Sequence, residues 1–257
     1  MISLNKIMAT ACLLVMSTAS ALVHADDLDK VKQSGSLTFA LTGKYPPFSF
    51  INEGGQLQGF DVDIGNQIAK KIGVKAVPVT TAWDGIVGGL LAGKYDAIIG
   101  SMAITDERLK AVDFTVPYYH SGAQLFVQKN SKVESVEQLR GKVLGVTLGE
   151  TYETWLRTNH PEIQVKTYKG LPDILIDLQN GRIDGFVTDK IAGLLTIRDK
   201  RIDAKPVGAL LYPEQVGIAV RKDSPALRAA INAALREISA DGTFRNVSMK
   251  WLGTDIR

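Results

Sequence analysis

The side chains able to do chemistry in this sequence are few and widely spaced. Arg108 closes the run Ile104-Thr105-Asp106-Glu107-Arg108, and its guanidinium is a planar fork that can grip both oxygens of a carboxylate. On spacing alone it reads as a surface arginine in the first turn of a short helix, paired with Glu107 or Asp113, where a pair contributes little. Asp189 follows the apolar run Phe186-Val187-Thr188. It is either a counter-charge for a buried cation or the N-cap of a helix beginning near Lys190. Gly100-Ser101-Met102-Ala103 leads out of a strand toward a helix start, where free amides can meet an anionic oxygen, and Gly149-Glu150-Thr151 is a second such segment. Ordinary turns are the alternative for both. Tyr45 and Trp83 offer flat faces for a cation, an amide or an imidazole, or simply pack.

Enzymatic and metal chemistry find little support. The histidines are His24, His120 and His160, well apart, and Cys12 is the single cysteine. The sequence has no His-x-x-x-His pair, no Asp-x-Asp-Gly loop and no phosphate-cradling glycine motif, so neither a metal nor a cofactor is expected. Glu150 or Asp189 could act as an acid or base in a dehydratase-like reaction, but no partner that would perturb either is evident.

The elements that must position these residues alternate β-branched or apolar runs with helical patterns, as in α/β proteins with mainly parallel strands. Strands are predicted over Leu37–Leu41, Val74–Thr80, Asp96–Gly100, Ala123–Val127, Lys142–Thr147, Ile163–Tyr168, Asp184–Val187 and Val216–Val220. Asp61–Ile72 is an amphipathic helix stopped by Gly73, and Ala226–Ala240 is the longest helix, entered through Ser224-Pro225. Leu90-x-x-Gly93-Lys94-x-Asp96 recurs as Leu178-x-x-Gly181-Arg182-x-Asp184, each followed by an apolar strand. Two related lobes would produce this repeat, and so would two similar corners of one doubly wound domain.

At the N-terminus, Lys6, an apolar run from Ile7 to Val23 and the small residues of Val23-His24-Ala25 have the form of a cleaved leader, with the cut expected after Ala25. The run falls short of the roughly 20 residues that span a bilayer. Cys12 lies inside it, so a mature chain would carry no thiol. Basic residues number 30 against 27 acidic ones, without a Lys/Arg block, which argues against a nucleic-acid partner.

Tyr45-Pro46-Pro47-Phe48, Gly59-Phe60-Asp61-Val62-Asp63-Ile64, Ile104-Thr105-Asp106-Glu107-Arg108, Asp113-Phe114-Thr115 and Trp251-Leu252-Gly253 occur in this order across nearly all of the chain beyond the leader. In this the sequence resembles the periplasmic polar amino-acid-binding proteins of ATP-driven (ABC) importers, solute-binding protein family 3. The resemblance implies a two-lobed periplasmic-binding-protein fold, two Rossmann-like α/β lobes joined by a two-strand hinge. Lobe 1 would comprise residues 26–118 and 217–257, lobe 2 residues 123–212, with crossings near 118–122 and 212–216. It also implies a monomer that closes on a free amino acid or amino-acid conjugate and hands it to an inner-membrane permease. Arg108 would hold the ligand carboxylate and Asp189, in the other lobe, its ammonium. Gly100, Ser101, Ala103 and Thr151 would complete the coordination, and Tyr45 and Trp83 would wall the side chain. Relatives often carry a hydroxyl at the Ala103 position and, for cationic ligands, an acid where Thr42 stands. Glu150 could supply the missing charge, so a polar or cationic ligand is expected. A sensor for a membrane partner is the other binding role compatible with these residues.

Overall fold

The computed structural model describes residues 26–257; the expected leader and its cleavage site lie outside them. The strands are β1 (Ser36–Leu41), β2 (Lys44–Tyr45), β3 (Ser49–Ile51), β4 (Leu57–Gln58), β5 (Lys75–Thr80), β6 (Ala97–Ala103), β7 (Asp113–Phe114), β8 (Tyr119–Gln128), β9 (Val143–Thr147), β10 (Gln164–Tyr168), β11 (Gly185–Asp189) and β12 (Ala204–Val220). The helices are α1 (Asp27–Ser34), α2 (Phe60–Ile72), α3 (Ile86–Leu91), α4 (Asp106–Ala111), α5 (Thr151–Asn159), α6 (Leu171–Gln179), α7 (Lys190–Lys200), α8 (Pro225–Ala240) and α9 (Thr243–Leu252). Each of the eight predicted strands is present, within a few residues except where β8 and β12 run much longer than expected.

Two α/β lobes share one continuous strand order, β10-β9-β11-β8-β12-β6-β1-β5, with β7 also on β12. The outer pairs are parallel, β1 with β5 and β6, and β9 with β10 and β11. The centre is not: β8 and β12 run antiparallel to each other and to their neighbours β11 and β6, so the sheet is mixed rather than mainly parallel. The cause is the length of β12, 17 residues, whose first part pairs with β8 and whose last part pairs with β6 and β7. At the centre of this order Tyr119–Ala123 pairs with Tyr212–Val216.

Each lobe buries apolar faces of its sheet under helices. In one, Ala40, Trp83, Ile86, Leu90, Ile98 and Met102 pack together; in the other, Leu125, Val136, Leu144, Tyr152, Leu156 and Val187 do so. The repeated corners have the same geometry in both. Gly93 and Gly181 adopt left-handed φ of 70° and 65°, and their amides bond to the carbonyls of Leu90 and Leu178 at 3.0 and 3.1 Å. The basic residue that follows donates back to the helix, Lys94 to Gly89 and Arg182 to Asp177. Asp96 and Asp184 then accept the amides of Thr38 and Val143, both at 2.8 Å, fixing the new strand against its parallel neighbour.

Candidate ligand site between the lobes

Arg108 stands on α4, a helix of six residues capped by Thr105, whose hydroxyl accepts the Arg108 amide at 3.2 Å. Its Nη1 donates to the Ala103 carbonyl at 2.9 Å, and its guanidinium carbon lies 5.5 Å from the centroid of Trp83. Nη2 faces Glu150 of the other lobe at 3.8 Å, with both side chains 12% exposed. Ala103 therefore takes part through its backbone oxygen, which aims the arginine, and Trp83, itself buried, forms a wall against that arginine.

Asp189 ends β11 and caps α7, its Oδ1 accepting the amides of Ile191 and Ala192 at 2.8 and 3.0 Å. Only 2% of it is exposed, and burial raises its carboxyl above the usual range against the pull of those amides. The cap holds the group rigid at the end of a buried strand, an arrangement that costs no further ordering when a cation arrives.

Glu150 precedes α5 without capping it. Burial pushes its carboxyl up to about 8, with Arg108 pulling it down and Glu214 and Asp189 adding to the rise. Glu214 comes from β12, is buried, and accepts hydrogen bonds from Thr151 Oγ1 at 2.5 Å and Tyr152 Oη at 3.1 Å. Its carboxyl is raised by burial too. The Thr151 hydroxyl is thus engaged by Glu214.

Ser101 is also committed internally. Its φ of 57° is left-handed, and its hydroxyl donates to Asp61 at 2.7 Å, beside a second bond from Tyr118 Oη at 2.7 Å. Asp61 is fully buried and burial lifts its carboxyl to about 7 despite those two donors. Asp61, Tyr118 and Glu214 were not anticipated as site residues. Acids in a first helical turn are ordinary, and nothing in spacing ties position 61 to 101 and 118, or 214 to 151.

Tyr45 stacks on Phe48 with centroids 5.6 Å apart, and burial near Asp189 and Glu150 raises its phenol well above the usual range. Tyr45, Thr42, Trp83, Gly100 and Glu150 line one narrow slot. The lobes meet around it. Lys44 reaches Asp173 at 3.5 Å, and Thr196 Oγ1 donates to the Pro46 carbonyl at 3.0 Å. A Cβ on Gly170 would come within 2.7 Å of the Lys44 Cβ, so glycine there lets the two walls touch. A larger cavity of 860 Å³ lies on the other side of Arg108 and Glu150, beside the crossing strands. His120, at that cavity, is exposed. Among the described residues no His, Cys, Asp and Glu cluster could hold a metal ion, and no helix is long and apolar enough to cross a membrane.

Arg108, 12% exposed and beside β6, and buried Asp189, at the end of β11, put opposite charges on the two halves of the sheet, an arrangement that suits a small molecule carrying both charges. The chain belongs to the bacterial extracellular solute-binding proteins, family 3, whose model matches residues 37–254. It is similar to the L-cystine-binding protein TcyJ of Escherichia coli (strain K12), with 38% identity over 99% of this chain and 96% of that protein. Among solved structures, a mutant of ArgBP from T. maritima matches with a TM-score of 0.84 and 34% identity, over 88% of this chain and 99% of the other. The ancestral amino acid-binding protein AncCDT-1, described as a precursor of cyclohexadienyl dehydratase, matches with a TM-score of 0.83 and 33% identity over the same shares.

Proposed function

We propose that this protein captures a free polar or cationic L-amino acid by closing its lobes and delivers it to an ABC importer in the periplasm, after removal of the leader at Ala25. The observation that carries the reading is the division of charge. Arg108 belongs to the lobe built on β6 and Asp189 to the lobe built on β11, so each end of a zwitterion is satisfied by a different half and the bound state favours closure. Residues 26–118 and 217–257 would move against 123–212, with the paired strands at 118–122 and 212–216 bending as the hinge.

A ligand with additional positive charge suits the site, because both Glu150 and Glu214 feel the half-buried cation Arg108 and Asp189 adds a third carboxylate close enough to raise both of theirs. An arginine-type ligand is also consistent with the likeness to arginine-bound ArgBP from T. maritima, while the likeness to TcyJ favours cystine as the second candidate. We take the protein to be a binder and not an enzyme. The raised carboxyls of Glu150 and Asp189 are features that suit a dehydratase acid, and consumption of a cyclic carboxylic acid by the purified protein would overturn the binder assignment. A thermal-shift screen of arginine, lysine, ornithine, glutamine, histidine and cystine, followed by calorimetry, tests the reading: a ligand specific to the native state raises its melting temperature by mass action. Failure of every amino acid and conjugate to do so would refute it.

A further inference from the structure

Ser101 spends both of its hydrogen-bond donors inside the protein, its amide on Tyr118 Oη at 3.2 Å and its hydroxyl on Asp61 Oδ2 at 2.7 Å. Tyr118 Oη donates in turn to Asp61 Oδ1 at 2.7 Å, which closes a ring of residues from α2, β6 and the segment leading into β8. The ring is held from outside as well. The Asp61 amide donates to the Phe48 carbonyl at 2.8 Å, and the Tyr118 amide to the Val216 carbonyl at 2.9 Å. Both Asp61 and Tyr118 are buried. The backbone they enclose would not keep its shape alone. Ser101 is left-handed, a conformation that a side chain makes costly and that persists only where its surroundings impose it. It also lies in a bulge: Ile98 pairs with Ala219 and Met102 with Gly217, so β6 carries two residues more than β12 over this stretch.

On either side of Ser101 stand groups that belong to the ligand site. Gly100 lines the slot with Tyr45 and Trp83, and the Ala103 carbonyl receives Arg108 Nη1 at 2.9 Å. Whatever holds Ser101 therefore sets where that carbonyl stands and how the guanidinium is aimed. We propose that Asp61 is a positioning residue for the ligand carboxylate: through Ser101 it fixes the β6 bulge and, through the Ala103 carbonyl, the direction of Arg108. The inference rests on the reading of Arg108 as the carboxylate anchor and adds to it a residue that does not itself line the slot. A carboxylate suits the task because it offers one oxygen to each hydroxyl. Charge and position act in opposite directions here. Removing a nearby carboxylate should by itself favour an anionic ligand group, whereas turning Arg108 away should disfavour it.

Calorimetry at one pH on the purified protein tests this, with L-arginine and L-cystine each set against its carboxamide. The wild type is expected to prefer the carboxylate form by about tenfold or more, as a desolvated charge pair requires. Asp61→Ala should lower that preference by about threefold or more, the worth of a lost hydrogen bond. Ser101→Ala breaks the same contact and should lower it likewise; should Asp61→Ala fail to fold, Ser101→Ala reads the same ratio. Because the ratio is taken within each protein, a general loss of affinity cancels. The double variant should lose no more preference than Asp61→Ala alone, since residues that act through one contact are not additive. A preference unchanged in the single variants, a rise caused by Asp61→Ala, or losses that simply add would overturn the inference and leave Arg108 as the anchor. Equal binding of acid and amide by the wild type would instead refute the anchor on which it rests, and absence of any amino-acid binding would remove the amino-acid reading as well.

Discussion

The two lobes turn the same corner with the same hydrogen bonds, yet they present their charges to the cleft in different ways. After the corner at Gly93, β6 continues to Ala103 and Arg108 follows on the short helix α4, its long side chain bending back to a backbone carbonyl. After the corner at Gly181, β11 ends directly on Asp189, whose carboxylate is pinned by two helix amides. The first lobe delivers its charge on a flexible arm and the second on a fixed post. A guanidinium on an arm can stay hydrated while the lobes are apart, whereas a buried carboxylate needs standing partners to exist at all. The helix cap on Asp189 is such a partner.

This contrast can be broken most decisively at the arm. Arg108→Ala should leave the fold intact and weaken amino-acid binding by about 3–5 kcal/mol, the cost of burying the ligand carboxylate unpaired. Calorimetry on the folded variant checks this, and near-normal affinity would show that the anchor lies elsewhere. Asp189→Asn comes next. Asparagine still caps a helix well, so melting should shift little, while amino acids should lose about tenfold or more in affinity relative to analogues lacking the ammonium group. Equal losses for both classes would contradict the post.

Smaller effects sharpen the comparison. Ionised Glu150 would compete with a ligand carboxylate for Arg108, and burial pushes its carboxyl up to about 8. Affinity for a neutral amino acid should therefore fall as pH rises through about 8. Asp189 and Glu214, also raised by burial, face the same space, so the control is Glu150→Gln, in which titration calorimetry should find this dependence flattened. Least of all, Gly93→Ala and Gly181→Ala should each cost about 1 kcal/mol in denaturant melts, since both are left-handed and a Cβ at either meets nothing within 4 Å. Unequal costs would mean the corners are alike only in outline.

Most of the architecture was legible because it rests on local signals. Gly73 ends α2 and Ser224-Pro225 opens α8 as expected, and apolar runs mark the strands. The three-stranded β2-β3-β4 hairpin was not legible, since elements of two or three residues carry no period. Neither was the full span of β12, which includes exposed Leu210 and Pro213. At the site, the hydroxyls of Ser101 and Thr151, both expected near the ligand, are engaged internally, Ser101 by Asp61 and Thr151 by Glu214. Such pairings join residues 40 and 63 positions apart, beyond the reach of any spacing rule.

The first described residues are stitched to the last third of the chain. Asp26 accepts the amides of Ala226 and Leu227, and buried Asp27 meets Arg221 at 2.7 Å. Synthesis runs from amino to carboxyl end, so Asp27 must wait for 194 further residues before its partner exists. The lobe begun first is consequently the lobe finished last, and a chain stalled before α8 would hold one half able to assemble and one that cannot.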